Sequence, residues 1–343
     1  MHPHSAGLGL RPSLHPELAA LGDPSLTPAR VLAQHRGAWL IRAPEPADAA
    51  PRLAVARGRL RDDPPVTGDW VAVDGAGAIC AVLERTGTIV RRAPGDGPAR
   101  AQVLAANVDL ALVAEPLPSP NARRAERLAA LASAGGVPAA LVLTKADLAD
   151  DGGFGEAARL ARRLGLADAV AVSAADGDVG VLRTLLAPGT TAVLLGPSGA
   201  GKSTLVNALV GGELQATGDV RASDGRGRHT TVARELIALP GGALLIDTPG
   251  VREAGVWDGT GATFADVDAL AAECRFADCT HDGEPGCAVR GAVEPERLEA
   301  WRKLAREQAW VDDRRAASRA REKRGKQFAR WHKQAQRLKD RAD

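Results

Sequence analysis

Hydrophobic and polar positions change their rhythm twice along the 343-residue chain. Between about residues 28 and 105, short apolar or alternating runs ("ARVLAQH", "AWLIRA", "DWVAVD", "AICAVLE") are separated at close spacing by Gly, Pro and Asp turns, the pattern of an all-β unit. Five or so strands in this length suit a small barrel such as an OB-fold, with "RDDPPVTGDWV" supplying turn chemistry before a strand that starts near Asp69. Such a barrel either binds RNA or is structural; Trp70, a lone aromatic at a strand start, is expected in the core. From about 106 to 258 the runs "VDLALVA", "AALVLT", "DAVAVS", "TAVLLG" and "ALLID" read as buried parallel strands, separated by helical stretches such as "NARRAERLAALASA" and "GEAARLARRLG". Alternation of that kind predicts a doubly wound α/β domain. Further on, Leu298, Trp301 and Leu304 recur at helical spacing, predicting a helix within 296–310.

The length calls for two or three domains, each with its own core. Residues 1–27 are expected to be a flexible extension, 28–105 an OB-fold RNA-binding domain, 106–258 a nucleotide-binding domain, and 259–343 a metal-binding domain with a basic helix and tail. Net charge is +2, but residues 301–343 carry 15 Lys and Arg against 6 Asp and Glu, which leaves −7 on the first 300. That tail is either a solvated basic run or a segment that neutralises RNA phosphates. The N-terminus has no run of signal-peptide type, and no apolar run approaches a membrane span, so a cytoplasmic protein with no membrane partner is expected. Four cysteines, three of them clustered, fit a reducing compartment. Basic residues are 37 Arg and only 7 Lys, and the first 300 residues hold just Lys145 and Lys202, each where a nucleotide-binding motif demands an ammonium.

"GPSGAGKS" satisfies G-x-x-x-x-G-K-[ST] between a strand and a helix, the setting a phosphate loop requires. Gly196, Ser198, Gly199, Ala200, Gly201 and Thr204 would surround the phosphates, Lys202 would reach the β- and γ-phosphates, and Ser203 would ligate Mg²⁺. Asp247, ending the strand "LLID", is the second candidate for Mg²⁺, and the Gly250 amide the candidate sensor of the γ-phosphate. Between them "RASDGRGRHTTVAREL" has no periodicity; Thr230 or Thr231 is the natural switch residue, completing Mg²⁺ coordination only when a γ-phosphate is present. "TKAD" ends an apolar run: the Asp147 carboxylate would accept from guanine N1–H and the exocyclic amine, the Lys145 stem would lie along the ring, and Ser173 and Ala174 would offer a backbone N–H to O6. Thr144 stands where Asn is commoner. Such an Asn helps tie this loop to the phosphate loop, so guanine selection is expected to rest chiefly on Asp147 and to be somewhat weaker.

These elements run in the order guanine reader, Ser-Ala pair, phosphate loop, switch Thr, D-x-x-G, whereas an ordinary GTPase begins with the phosphate loop. The order is that of a circular permutation, tolerable because domain termini often lie close together. Through "GDWV", "AANVDLALV", "TKADL", "GPSGAGKSTLVNAL", "GRGRHTT", "DTPGVREAGVW" and "CRFADCTHDGEPGCAV" the chain resembles the circularly permuted, ribosome small subunit-dependent GTPases of the RsgA (YjeQ, EngC) family. The resemblance implies an N-terminal OB-fold, a permuted GTPase domain and a C-terminal zinc domain. It also implies GTP hydrolysis to GDP in late maturation of the small (30S) subunit, with 16S rRNA as a partner, stimulation by the subunit, and release on hydrolysis. The expected state is a monomer.

Cys274, Cys279, His281 and Cys287 form C-x4-C-x-H-x5-C, enough for one structural Zn²⁺ in tetrahedral coordination. Val251 follows D-x-x-G where many GTPases place a water-orienting Gln, so slow intrinsic hydrolysis is expected. His229, beside the switch threonines, is the candidate to position the water, with Lys202 and Thr231 as the other catalytic candidates, and the resemblance supports His229. Because D-x-x-G now lies near the domain's end, the switch is expected to lead directly into the zinc domain. The competing class is a P-loop kinase or ATPase with an RNA-binding appendage; "TKAD" and the Ser-Ala pair favour the GTPase.

Overall fold

The computed structural model describes residues 5–35, 37–46, 49–61, 63–92, 101–212, 234–248, 264–276 and 279–306. The early turn-rich region forms five strands: β1 (Thr27–His35), β2 (Ala38–Arg42), β3 (Arg52–Ala54), β4 (Trp70–Val73) and β5 (Ile79–Val82). β1 pairs antiparallel with β2 and β4, β2 with β3, and β4 with β5. A parallel bridge between Ala56 and Ile79 closes the circuit, with Ile79 N donating to Val55 O at 2.8 Å and Arg57 N to Ile79 O at 2.9 Å. The resulting order, 1-2-3-5-4 back to 1, is that of an OB barrel, and closure removes the exposed edges an open five-stranded sheet would leave.

Alternation decides which side chains fill the barrel. Val71 and Val73 of β4 point inward with Val31, Ile41 and Ile79, while Trp70 and Ala72 point outward. Trp70 is nonetheless fully buried, as expected of a core residue, because helix α1 (Leu14–Ala20) and the turn before it lay Leu8 and Leu14 over that outer face. The described residues from 5 to 27 thus differ from the expected flexible extension: their leucines complete a satellite core on the barrel.

After the barrel, β6 (Thr88–Arg92) and β7 (Ala101–Ala106) pair only with each other among the described residues. The chain then alternates β8 (Leu110–Pro116), α2 (Ala122–Ala134), β9 (Ala139–Thr144), α3 (Phe154–Leu164), β10 (Ala169–Val172), α4 (Gly180–Thr184), β11 (Thr191–Leu195) and α5 (Lys202–Val210). β12 (Glu235–Ala238) and β13 (Leu244–Asp247) follow. The sheet order is β10-β9-β8-β11-β13-β12, parallel except for the antiparallel β12. Two apolar cores cover its faces, one under α2 and α3 around Leu128, Leu131, Leu141 and Leu160, the other under α4 and α5 around Leu112, Leu182, Leu194 and Leu205. Both faces being covered explains the continuous apolar strands.

The barrel is fastened to this sheet through the backbone. Ala33 of β1 pairs with Glu235 of β12, and Thr67 Oγ1 donates to Arg234 O at 3.1 Å. Gly68 (φ 92°) approaches β7 so closely that a Cβ there would lie 2.2 Å from Ala106 O. The β6–β7 hairpin leans on α2, Thr88 N donating to Gly135 O at 2.9 Å.

Beyond the sheet, α6 (Ala265–Ala272) and a helix at residues 295–306, α7, enclose the cysteine cluster. Leu298 and Leu304 are buried with Phe264, Val267 and Val289 against Ala130 of α2, and Trp301 packs at the margin, matching the sequence periodicity. Ion pairs of Arg163 with Glu126 (3.2 Å) and Glu296 (3.0 Å), and of Arg297 with Asp266 (2.7 Å), surround this contact.

Candidate functional site

All the described candidate nucleotide residues lie on one edge of the sheet because parallel strands bring their C-terminal ends together. Leu194 of β11 stands opposite Asp247 of β13, two positions before Gly196, so the phosphate loop starts beside that carboxylate. On the other side Thr144 of β9 stands opposite Val172 of β10, which brings Asp147 and Ser173 to adjacent loops. The permuted chain order therefore has no spatial counterpart.

The phosphate loop is shaped by close packing. A Cβ on Gly196 would fall 2.6 Å from Ala114 O of β8, so only glycine fits against the neighbouring strand. Gly199 and Gly201 adopt left-handed conformations (φ 80° and 72°), and Gly201 caps α5, whose first residues are Lys202, Ser203 and Thr204. Lys202 Nζ donates to Gly196 O at 2.9 Å and Pro197 O at 2.7 Å, folding its ammonium over the loop. The loop's amides and the amino end of α5 form a cradle suited to phosphates.

In the base-reading half, Lys145 sits at φ 59°, a left-handed conformation unusual for a non-glycine residue, and opens the short turn Ala146–Leu148. The turn carries Asp147 towards Ser173: Ser173 Oγ lies 2.9 Å from Asp147 Oδ1 and 2.5 Å from Asp176 Oδ2. A hydroxyl has one proton, so Ser173 can donate to only one carboxylate at a time. Ala174 follows at half-buried exposure. Asp176 was invisible as a site residue in the sequence, although its place in "SAADGD", three residues after Ser173, is the available signal.

The two halves are joined by a buried side-chain hydrogen bond. Thr144, 1% exposed, donates from Oγ1 to Ala200 O at 2.8 Å and lies 3.4 Å from Glu115 O. A threonine hydroxyl at the end of β9 thus reaches the phosphate loop. Beneath it the fully buried Glu115 is held by Arg124 (Nε–Oε1 2.7 Å, Nη2–Oε2 2.5 Å) and by Asn121 N at 3.1 Å, fixing the loop that starts α2. Thr248 plays a similar part on the other flank, its buried hydroxyl donating to Leu194 O at 2.7 Å and locking the end of β13 to β11. Neither Glu115 nor Thr248 stands out in sequence, because Glu115 bonds across the turn into α2 and Thr248 to a strand 54 positions away.

Ser203 is half-buried at the start of α5 and Asp247 is 7% exposed at the end of β13, a hydroxyl and a carboxylate of the hard-oxygen type that suits Mg²⁺. His229, Thr230, Thr231, Gly250 and Val251 lie outside the described residues, as does the basic segment after residue 306.

The cysteine cluster is a separate centre. Ligand atoms of Cys274, Cys279, His281 and Cys287 all lie within 4.8 Å of one another, with His281 Nδ1 3.5 Å from both Cys274 Sγ and Cys287 Sγ. Backbone N–H groups of Ala288 and Arg290 donate to Cys274 Sγ and Cys287 Sγ, each at 3.4 Å, an arrangement that favours thiolates. The His281 ring meets Trp301 of α7 edge-on at 5.2 Å, and Arg302 donates to the His281 carbonyl. Three sulfurs and one imidazole nitrogen converging in one small volume fit a soft or borderline tetrahedral cation. No described helix is long and apolar enough to cross a membrane.

Comparison with known proteins agrees with this geometry. The family model described as RsgA GTPase matches residues 82–257. The chain is 43% identical to a small ribosomal subunit biogenesis GTPase RsgA of Opitutus terrae, with 92% of each chain covered. A protein of the same name from Xylella fastidiosa is 44% identical over 84% of this chain and 87% of its own. Among solved structures, YjeQ from Thermotoga maritima aligns with a TM-score of 0.59 at 24% identity over 81% of this chain and 97% of that one. YloQ, titled a circularly permuted GTPase, aligns at 0.58 with 23% identity over 84% and 96%.

Proposed function

The chain belongs to the RsgA GTPase family and is a circularly permuted GTP-hydrolysing enzyme, and from this we propose that it acts in biogenesis of the small ribosomal subunit, binding the 30S particle through 16S rRNA. Subunit binding stimulates hydrolysis of GTP to GDP, and hydrolysis releases the protein, a monomer working in the cytoplasm. The observation that carries the reading is the joint placement of Asp147, Ser173, the phosphate loop and Asp247 on one sheet edge, tied across by Thr144.

In this reading Asp147 pairs with guanine N1–H and the 2-amino group. Ser173 turns its O–H donation to Asp176 once the base occupies Asp147, the Lys145 stem covers one face of the ring, and the Ala174 amide meets O6. Gly196, Ser198, Gly199, Ala200 and Gly201 shape the amide cradle, with Thr204 in the following turn. Lys202 leaves its loop carbonyls for the β- and γ-phosphate oxygens, where its charge is worth most. Mg²⁺, which neutralises charge on those oxygens, would be held by Ser203, Asp247 and a switch threonine, Thr231 or Thr230. Gly250 senses the γ-phosphate. His229 orients the attacking water, a role left open by Val251. One Zn²⁺ at Cys274, Cys279, His281 and Cys287 holds α6 and α7 together as a structural site.

The fold supports a route from nucleotide to RNA surface. Thr231 precedes Arg234 by three residues, and Arg234 and Glu235 are bonded to Thr67 and Ala33 of the barrel, so the switch ends where the OB-fold begins. The barrel and the basic tail supply the rRNA contacts, and the D-x-x-G segment leads on to the zinc domain. GTP hydrolysis measured with and without purified small subunits tests the reading: strong stimulation, lost in His229→Ala with nucleotide affinity retained, is expected. Equal rates with and without subunits, or full stimulation of His229→Ala, contradict it.

A further inference from the structure

At the opposite edge of the sheet from the nucleotide residues, the N-terminal segment, the barrel and the starts of β8 and β11 line a half-open pocket of about 360 Å³. Its charged lining is Arg11, Arg30 and Asp109. Arg30 is 1% exposed and lies over the Trp70 ring, its Cζ 5.2 Å from the centroid. Its guanidinium donates to three carbonyls and one hydroxyl: Gly68 O (2.9 Å), Leu8 O (2.6 Å), Asn107 O (3.2 Å) and Thr191 Oγ1 (3.1 Å). No carboxylate pairs with it among the described residues. Carbonyl dipoles satisfy N–H groups but leave the unit charge in place, and burying such a charge is costly.

The second cation worsens the imbalance. Arg11 donates to Glu84 O and Asn107 Oδ1 at 3.1 and 2.9 Å, while its buried Nε has no acceptor. Burial, with the Arg11 charge adding to it, pulls Arg30 down to about 10 even though Asp109 and Asp69 oppose the shift. Asp109, the one acidic group of the lining, already accepts from Thr191 N at 2.7 Å, and Asp69 is paired with Arg85 at 2.9 Å. Gly9 keeps the cavity tight, since a Cβ there would sit 3.1 Å from Arg30 Nη1 and 2.9 Å from Gly189 O. Two arginines from different parts of the chain therefore converge on one half-open pocket with an excess of positive charge.

We propose that this cavity is a binding site for a small free oxyanion of the phosphate class, held by Arg11 and Arg30 and clamping the N-terminal segment and barrel onto the back of the GTPase sheet. The Arg11 guanidinium lines the pocket, and guanidinium with a tetrahedral oxyanion forms charge-assisted bonds roughly twice as strong as neutral ones. The volume lies at the low end for ligand pockets, which favours an inorganic anion over a nucleotide. The site is remote from the phosphate loop, so its occupancy is independent of the nucleotide reading.

The test is thermal unfolding of full-length, GDP- and Mg²⁺-saturated protein titrated with inorganic phosphate, with chloride holding ionic strength constant. The expected result is a saturable rise in Tm that survives in Lys202→Ala, where the phosphate loop is crippled. In Arg11→Gln the apparent affinity should fall by about tenfold or more. Thr190→Asp, which puts a carboxylate into the same lining without removing either arginine, should raise Tm without phosphate and abolish the response. This variant covers the case in which Arg11→Gln folds poorly. A response no larger than chloride gives, one lost in Lys202→Ala, or one unchanged in Thr190→Asp overturns the site. Displacement of phosphate by a short single-stranded RNA would make it a nucleic-acid contact and overturn the assignment to a free anion.

Discussion

Thr144→Val removes one oxygen and keeps the shape of the side chain, so it isolates the bond between the base-reading and phosphate-binding halves of the site. The donor lost is fully inside the protein: Thr144 is 1% exposed, Ala200 is 0% exposed, and Oγ1 to O is 2.8 Å. A buried carbonyl deprived of its donor costs about 1–3 kcal/mol. If that cost is paid by loosening the two loops against each other, GTP and GDP bind more weakly by roughly 5- to 150-fold. The loss falls equally on both nucleotides, because the bond touches neither the γ-phosphate nor the base. If instead the loops stay together and the strain is borne by the fold, Tm drops by about 2–4 °C per kcal/mol for a domain of this size. Fluorescent-GDP titration beside a melting curve separates the two, and Thr144→Ser, which keeps the hydroxyl, should restore most of the affinity. Wild-type affinity together with wild-type Tm in Thr144→Val would refute the tie as the joint of the site.

Other changes probe the remaining layers. Gly196→Ala drives a Cβ to 2.6 Å from Ala114 O, a backbone atom of a central strand, so nucleotide binding should be lost while circular dichroism stays near native; retained GDP binding would show that the loop can shift. Chelation of the metal, or Cys287→Ala, should release the His281–Trp301 contact; a change in tryptophan fluorescence with one zinc lost per chain is expected, and GDP affinity should barely move. Arg163→Met leaves the buried Glu126 with Arg297 at 4.0 Å as its one ion-pair partner among the described residues and should destabilise by about 3 kcal/mol, the low end for a broken buried pair. Adding Glu126→Gln should recover much of that loss in urea unfolding, and a double variant as unstable as the single one would contradict the charge argument.

The sequence displayed the site well wherever one residue type at a fixed spacing does the chemistry. "GPSGAGKS" and "TKAD" each end a continuous apolar run, and parallel strands deliver such ends to a common edge whatever their order in the chain. The barrel was legible for a similar reason, since turn residues punctuate its strands, although its closure through Ala56 and Ile79 needed the third dimension. The reach of Thr144 is not legible from its residue type, because its hydroxyl at the end of β9 bonds to Ala200, 56 positions along the chain. Leu8 and Leu14 look like stray apolar residues in a polar leader until Trp70 is found pointing out of the barrel rather than into it. Arg30, Glu115 and Thr248 carried no signal, because each acts on groups 22 to 161, 6 to 9 and 54 positions away respectively.

The central claim is that a permuted chain builds a guanine-specific site around Asp147, and base selection tests it most directly. Nucleotide competition should be measured for the wild type and for Asp147→Asn, whose amide matches the N1–H and 2-oxo edge of xanthine instead of the N1–H and 2-amino edge of guanine. The account predicts wild-type GTP binding that withstands a large excess of ATP, and an Asn variant that loses GTP and gains XTP. ATP displacing GTP from the wild type, or unchanged GTP affinity in the variant, would contradict it.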